Sequence, residues 1–151
     1  MSAEATMLCV DGSDEAERAV AAGLAVLQPA PRVLVVVVVE ESDPTLVTGT
    51  GFAGGVMSPD ELHELERARE SIGRQFAERA ATRFGLEAPE IRVLTGTPGP
   101  VLCTLAAEVP ARVIVVGSRG RGGIKRALLG SVSDYVVRNA PCPVVVTPPA
   151  R

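Results

Sequence analysis

The residues best suited to anion binding lie in one glycine-rich segment, residues 117–133. Five of its residues are glycine, and its charged residues are all cations: Arg119, Arg121, Lys125 and Arg126. The segment carries +4 in a chain of net charge −3, which leaves −7 for the other residues. Gly130-Ser131 stands where a helix N-terminus would present free N–H groups, and the hydroxyls of Ser131 and Ser133 could donate to phosphate oxygens. The pattern favours a phosphate-binding loop, and the alternative is a solvated loop with no specific ligand.

A second candidate group is the carboxylate of Asp11, which follows the apolar run 7–10. If that run is a strand of a parallel sheet, Asp11 faces the crevice at the carboxyl ends of the strands. There it could accept hydrogen bonds from a nucleotide or lie near a bound Mg²⁺. The alternative is that Asp11 caps the helix that follows, and the pattern alone leaves both interpretations open.

Other catalytic patterns are missing. Lys125 is followed by Arg126, so the phosphate-loop form G-x-x-x-x-G-K-[ST] is absent. Residues 49–54 read G-x-G-x-x-G, but they begin ten residues beyond Val39, too far from a strand end to bind a dinucleotide. His63 lies among charged residues and is expected at the surface. We therefore expect no catalytic residue.

The three cysteines are Cys9, Cys103 and Cys142, and none forms a C-x-x-C pair. With one histidine in the chain, a zinc site is not expected. We expect all three thiols to be small buried apolar residues in a reducing cytosol.

Five apolar runs rich in β-branched residues predict the strands: 7–10, 33–39, 91–94, 113–116 and 144–146. Continuous runs of this kind, without alternation, are typical of strands covered on both faces in a parallel sheet. Helical patterns separate the runs, so the order of elements predicts an open α/β sheet with right-handed crossovers.

Four helices are expected, beginning near Ser13, Ser58, residue 98 and Ser131, and the second ends at Gly85. The candidate cap residues are Ser13, Asp14 and Glu17 for the first helix, and Ser58, Pro59 and Glu61 for the second. The apolar face of the second helix is expected to consist of Leu62, Leu65, Ile72, Phe76 and Phe84. These elements predict one domain over residues 1–151, with a flexible loop at 42–57 and a frayed tail at 148–151.

Composition argues against several classes of protein. A pI near 5.2 and an aromatic content of 3% without tryptophan disfavour a nucleic-acid partner. No apolar run approaches the roughly 20 residues of a membrane span. The first residues lack the pattern of a signal peptide, so we expect a cytoplasmic protein.

The glycine-rich segment resembles a known family signature. Gly117-x-x-Gly120, nine residues, and then Gly130-Ser131 are similar to the G-2x-G-9x-G-[ST] pattern of universal stress proteins. Residues 10–13, 93–98 and 141–146 resemble the family's first turn, third-strand turn and closing strand. The resemblance extends from Thr6 to Thr147 and implies a Rossmann-like, adenine-nucleotide-binding fold with strand order 3-2-1-4-5 and helices on both faces.

The resemblance also implies which residues surround a nucleotide. The adenine and ribose would lie near Val10, Asp11, Val38 and Val116, with Gly117, Arg119 and Gly120 at the ribose and phosphate. The outer phosphates would be held by Gly130, Ser131, Val132 and Ser133. Some relatives have histidine where this chain has Arg119, a permanent charge. Relatives commonly dimerise through the last strand, which corresponds to residues 143–147.

The resulting hypothesis is a cytosolic ATP-binding sensor or regulatory protein that acts as a homodimer in the stress response, with Mg²⁺ and an unidentified protein partner. A slow Mg²⁺-dependent ATPase or phosphotransferase is the first alternative, with at most weak ATP hydrolysis. A binder of AMP or cyclic AMP is the second, since the loop suits one phosphate or three. A protein-binding dimer with a vestigial loop is the third.

Overall fold

A computed structural model describes residues 4–41, 57–119 and 129–148. Within these ranges the elements alternate strictly: β1 Ala5–Val10, α1 Asp14–Ala25, β2 Arg32–Val39, α2 Pro59–Arg83, β3 Glu90–Thr95, α3 Pro98–Glu108, β4 Ala111–Gly117, α4 Ser131–Asn139 and β5 Val144–Thr147. The five strands and four helices predicted from the sequence are confirmed. The loop expected at 42–57 lies outside the described residues except for Met57, as does the expected tail except for Pro148.

The strands form one parallel sheet in the order β3-β2-β1-β4-β5, which confirms the expected order. The central strand β1 pairs on both sides, so that Met7 lies between Leu34 of β2 and Ile114 of β4. All three side chains are fully buried. Burial on both faces explains why the central strands are runs of Val, Ile and Leu without polar alternation.

Helices cover both faces of the sheet, also as expected. Leu8 and Val10 of β1 pack in one apolar cluster with α1 and α2, whereas Met7 and Cys9 pack in another with α3 and α4. Close contact between helix and sheet depends on glycine. A Cβ atom added at Gly73 of α2 would lie 2.8 Å from a methyl carbon of Val93. A larger residue there would push α2 away from the sheet.

The helix caps differ in one respect from the sequence expectation. Ser13 alone caps α1, because its Oγ accepts from the backbone N–H of Ala16 at 3.2 Å. Asp14 is the first helical residue, and Glu17 is buried and bonded to arginines of α2. The capping box expected for α2 is confirmed: Ser58 and Glu61 exchange hydrogen bonds of 2.7 and 3.2 Å.

No helix in the three described ranges has both the length and the apolar character that a membrane crossing requires.

Candidate functional site

A cavity of about 770 Å³ opens at the carboxyl ends of the central strands. Its floor includes Val10 of β1, Val38 of β2 and Val116 of β4. The strand order reverses here, because the chain adds β2 and β3 on one side of β1 and then β4 and β5 on the other. Ligands of open α/β sheets bind at such a reversal. The cavity therefore lies where the topology predicts a binding site.

The structure brings together the site residues that the sequence singled out. Ten of them line the cavity: Val10, Asp11, Val38, Val116, Gly117, Arg119, Gly130, Ser131, Val132 and Ser133. The eleventh, Gly120, lies outside the described residues, as do Arg121, Lys125 and Arg126. Two distant parts of the chain, the β1–α1 turn and the start of α4, thus share one cavity.

The turn that carries Asp11 is held by its own side chains. Asp11 Oδ1 accepts hydrogen bonds from the backbone N–H of Ser13 at 2.9 Å and from Ser13 Oγ at 2.6 Å. Ser13 in turn caps α1, so Asp11 supports the cap without being the cap residue. Asp11 also lines the cavity, so its carboxylate is fixed in direction at the edge of the site. The expectation that Asp11 caps α1 was therefore wrong, and Asp11 lies at the cavity as the other interpretation predicted.

The opposite wall is the N-terminus of α4. Gly130 is its N-cap residue and has no side chain to bond the first amides, while the first helical bond runs from Asp134 N–H to the Gly130 carbonyl at 2.9 Å. No side chain of the described residues caps the amides at 131–133. A helix N-terminus of this kind presents N–H donors and a partial positive charge. A Cβ atom at position 130 would lie 3.1 Å from the Ser118 carbonyl oxygen.

Ser133 has a structural role that the sequence did not indicate. Its side chain is buried, and its Oγ donates to the carbonyls of Ser118 at 3.2 Å and Gly130 at 3.1 Å. These contacts tie α4 to the end of β4. The hydroxyl proton of Ser133 is thereby engaged, so any contact with a ligand falls to its backbone N–H. Ser131, by contrast, is exposed.

A third wall comes from α2, and the sequence analysis missed it. Arg69, Ile72 and Phe76 line the cavity together with Glu40 and Glu41. Arg69 Nη1 donates to the Glu40 carbonyl at 3.1 Å. Both Ile72 and Phe76 were expected on the apolar face of the helix: Phe76 does pack against the core, whereas Ile72 is 48% exposed. The signal that the sequence offered for this wall was the length of the helix. A helix of 25 residues spans about 37 Å, whereas a strand of eight residues spans about 26 Å. The helix is therefore longer than the strands on which it packs.

The thiol of Cys9 lies on the cavity floor without being reactive. Burial is the main cause that raises its pKa to about 12, and Cys103 and Cys142 contribute to the same shift. The thiol is therefore protonated near neutral pH, which disfavours a nucleophilic role. The prediction that all three cysteines are buried was wrong for Cys103 and Cys142, which are partly exposed.

Other polar groups in the described residues offer no further site. His63 is at the surface as expected: its side chain is 69% exposed, and its Nδ1 lies 3.6 Å from a carboxylate oxygen of Glu66. Within 4–41, 57–119 and 129–148, no group of three or more His, Cys, Asp or Glu residues could hold a metal ion.

Comparison with known sequences identifies the family. The model of the universal stress protein family matches residues 4–148. A universal stress protein from Thermus aquaticus is 33% identical over 140 residues, which cover 93% of this chain and 95% of that protein. A shorter match to a Synechocystis universal stress protein is 46% identical over 55 residues, covering 36% of this chain and 51% of that protein.

Comparison with solved structures identifies the same fold. A universal stress protein in complex with cAMP aligns with a TM-score of 0.60 at 24% identity, covering 99% of this chain and 100% of that one. A family member from Arabidopsis thaliana with AMP bound aligns with a TM-score of 0.61 at 21% identity, covering 97% and 92%. With a family match across nearly the whole chain and the expected strand order, this chain belongs to the universal stress protein family.

Proposed function

We propose that this protein binds ATP in the cavity between β1 and β4 and acts as a nucleotide-dependent sensor or regulatory protein. The observation that carries the proposal is the N-terminus of α4, which has no side-chain cap at Gly130 and which lines, together with Asp11, a cavity of about 770 Å³. That volume is within the range of about 300–1,000 Å³ that is usual for small-molecule sites. Helix N-termini are effective phosphate sites because N–H donors and the helix dipole act together.

The charge distribution suggests how the nucleotide would be oriented. Arg119 and the amides at 131–133 favour the phosphates at the α4 end of the cavity. The apolar strand ends at Val38 and Val116, with Asp11 beside them, suit the adenine and ribose. The structural neighbours that contain cAMP and AMP support an adenine nucleotide as the class of ligand.

Magnesium would accompany the phosphates. Mg²⁺ prefers oxygen ligands and keeps several waters, so one carboxylate and the phosphate oxygens suffice to hold it. Asp11 is the carboxylate that supports this role among the cavity residues predicted from the sequence. When bound, the ion would neutralise phosphate charge, and the protein itself would contribute only Asp11 and the orientation of the nucleotide.

The wider proposal is a cytoplasmic, single-domain homodimer. The edge strand β5 pairs with β4 on one side only among the described strands, and its residues Val144–Thr147 are half-buried. An apolar edge of this kind is stabilised by pairing with a second copy. Residues 143–147 would form that contact, and an unidentified protein partner would read the nucleotide state.

The test is calorimetric titration of ATP with Mg²⁺ into wild type and Gly130→Val. Two methyl groups in front of the α4 N-terminus should weaken ATP binding about 100-fold or more, since the backbone donors would be screened from the phosphate. The thermal midpoint of each protein, measured alongside, checks that the variant is folded. Equal affinities in two folded proteins would contradict the placement of the phosphates at α4.

The same titrations with AMP and cyclic AMP decide the second candidate function, a monophosphate binder, which the ligands of the two neighbours favour. Tighter binding of either ligand than of ATP would replace ATP in the proposal. Steady release of ADP that is abolished in Asp11→Ala would instead favour the slow ATPase. Failure of wild type to bind any of the three would contradict nucleotide binding altogether.

A further inference from the structure

We infer that Arg79 of α2 is a positioning residue for the nucleotide site, because it holds the β1–α1 turn that carries Asp11. The inference rests on the proposed function, and it extends the site to a residue that does not itself line the cavity. It also gives a role to the largest cluster of ion pairs among the described residues, formed by Asp14, Glu17, Arg79 and Arg83. Neither the family resemblance nor the loop signature involves these residues.

Arg79 connects the turn to α1 through three hydrogen bonds. Its Nη2 donates to the Gly12 carbonyl at 2.7 Å, next to Asp11. Its Nε and Nη2 donate to Glu17 Oε1 at 2.9 and 2.6 Å. Glu17 is only 1% exposed, so its carboxylate depends on these partners for compensation of its lost hydration. One guanidinium thus fixes both the turn and the first turns of α1.

Phe76 closes the other side of the same turn. The Arg79 guanidinium carbon lies 5.5 Å from the centre of the Phe76 ring, a distance suited to a cation–π contact. Gly12 has φ of +88°, and a Cβ atom there would lie 2.6 Å from the Phe76 ring. The turn therefore needs glycine for its backbone conformation and for this close approach. Because Phe76 also lines the cavity, the contact connects α2 directly to the site.

The position of Asp11 depends on the anchored turn. Its Oδ1 is held by the backbone N–H and hydroxyl of Ser13, which follows Gly12. Without the bond from Arg79 to the Gly12 carbonyl, the peptide between Gly12 and Ser13 loses its external anchor. The Ser13 N–H then moves more freely, and so does the carboxylate that it orients. Precise placement of such groups is what binding sites require from the residues around them.

Arg83 provides a matched control. It lies one helical turn further along α2, and its Nη1 donates to Glu17 Oε2 at 2.8 Å and to Asp14 Oδ1 at 3.2 Å. Its side chain is 38% exposed, comparable with 50% for Arg79. In the described part of the chain Arg83 binds Glu17 without reaching the Gly12 carbonyl. Loss of either arginine removes one partner of Glu17, but only loss of Arg79 releases the turn.

The experiment compares Arg79→Met with Arg83→Met by calorimetric titration of ATP with Mg²⁺ and by urea unfolding. We expect both variants to unfold at lower urea than wild type. We expect ATP to bind about tenfold more weakly to Arg79→Met, as for one lost hydrogen bond to a charged group, and within twofold of wild type to Arg83→Met. Equal affinity of the two variants would overturn the inference.

Two further measurements keep the result decisive. Arg79→Lys retains a positive charge beside Glu17 but lacks the guanidinium group that donates to both Glu17 and the Gly12 carbonyl. Relative to Arg79→Met, it should therefore recover more of the stability in urea than of the ATP affinity. If wild type binds no nucleotide, the proposed function fails by itself. Amide hydrogen exchange at Ser13 and Ala16 in the ligand-free protein then still tests the turn: faster exchange in Arg79→Met than in Arg83→Met supports the anchor, and equal exchange overturns it.

Discussion

The turn after β1 and the start of α4 line the same cavity, yet they are built in opposite ways. The β1–α1 turn is fixed by side chains: Asp11 bonds Ser13, and Arg79 bonds both Gly12 and Glu17. The N-cap of α4 offers only backbone groups, because the N-cap residue, Gly130, has no side chain. Ser133 adds a side-chain contact nearby, since its hydroxyl bonds two carbonyls.

This difference indicates which part of a ligand the β1–α1 turn and the start of α4 are each suited to bind. A helix N-terminus binds an anion best when its amides are not already bonded by a cap residue. A carboxylate contributes directional contacts only when its own orientation is fixed, which requires surrounding hydrogen bonds. The side chains of the β1–α1 turn therefore fix its conformation. At the start of α4, by contrast, the backbone N–H donors remain available to a ligand. The comparison predicts that substitutions in the side-chain network of the β1–α1 turn lower stability, with Arg79 also affecting ligand affinity, whereas substitutions at the start of α4 change mainly affinity.

Glu17→Ala should produce the largest effect, on stability. The substitution removes the buried partner of Arg79 and Arg83 and leaves a cavity between α1 and α2. We expect a loss of about 2–4 kcal/mol in the free energy of unfolding, measured in urea. Glu15→Ala, at an exposed position of the same helix, is the matched control and should stay within about 0.5 kcal/mol of wild type. Similar losses in both variants would show that the turn does not depend on its side-chain network.

Arg119→Met should change affinity and leave stability nearly unaltered. Arg119 lines the cavity just beyond the end of β4, so we expect roughly tenfold weaker ATP binding and a weaker dependence of affinity on salt. Arg112→Met is the control, because Arg112 lies near the start of the same strand, at the end away from the cavity. Titrations at two salt concentrations check both variants. A similar loss of affinity in Arg112→Met would mean that net charge, rather than the α4 wall, governs binding.

The ion pair of Arg32 and Glu90 should give the smallest effect and serves as a reference remote from both walls. Arg32 donates to both carboxylate oxygens, at 2.8 and 3.0 Å, and this contact lowers the pKa of Glu90 below its ordinary value of 4.5. The unfolded state then binds more protons, so the stabilisation is present above about pH 4.5 and is lost as pH falls further.

The corresponding measurement is the pH dependence of urea unfolding for Glu90→Gln. Because Glu90 is exposed, the difference from wild type at pH 7 should be small, and it should shrink toward zero below pH 4.5. Glu87→Gln, at another exposed position, is the matched control and should stay within about 0.5 kcal/mol of wild type at pH 7. ATP affinity should be unchanged in both, since neither residue lies near the cavity.

The fold was predictable because its signals are local. Runs of β-branched residues mark strands buried on both faces, and the capping box at Ser58 and Glu61 marks a helix start. The family resemblance added the strand order. The loop spacing predicted Gly130 as a site residue, and the place of Asp11 after the first apolar run predicted that residue; both line the cavity. In each case a few neighbouring residues carry the information.

The rest of the site could not be predicted because it depends on contacts between distant elements. Glu17 is one of three acids in the first turn of α1, and its sequence context is that of a solvated or capping residue. Its burial follows only from the approach of Arg79 and Arg83 on α2. Phe76 likewise shows the helical spacing of a core residue, and it does pack against the core, but it also lines the cavity. No local pattern distinguishes these alternatives.

The strand order also determines when during synthesis the cavity can exist. β1 is made early, but its partner β4 and the helix α4 follow β3 in the chain. A nascent chain that has reached only β3 possesses the β1–α1 turn and the α2 wall, without the amides of α4. Domains fold as their last required elements leave the ribosome. The cavity is therefore completed only after α4 has been made, and a chain that ends at β3 has no closed site to fill.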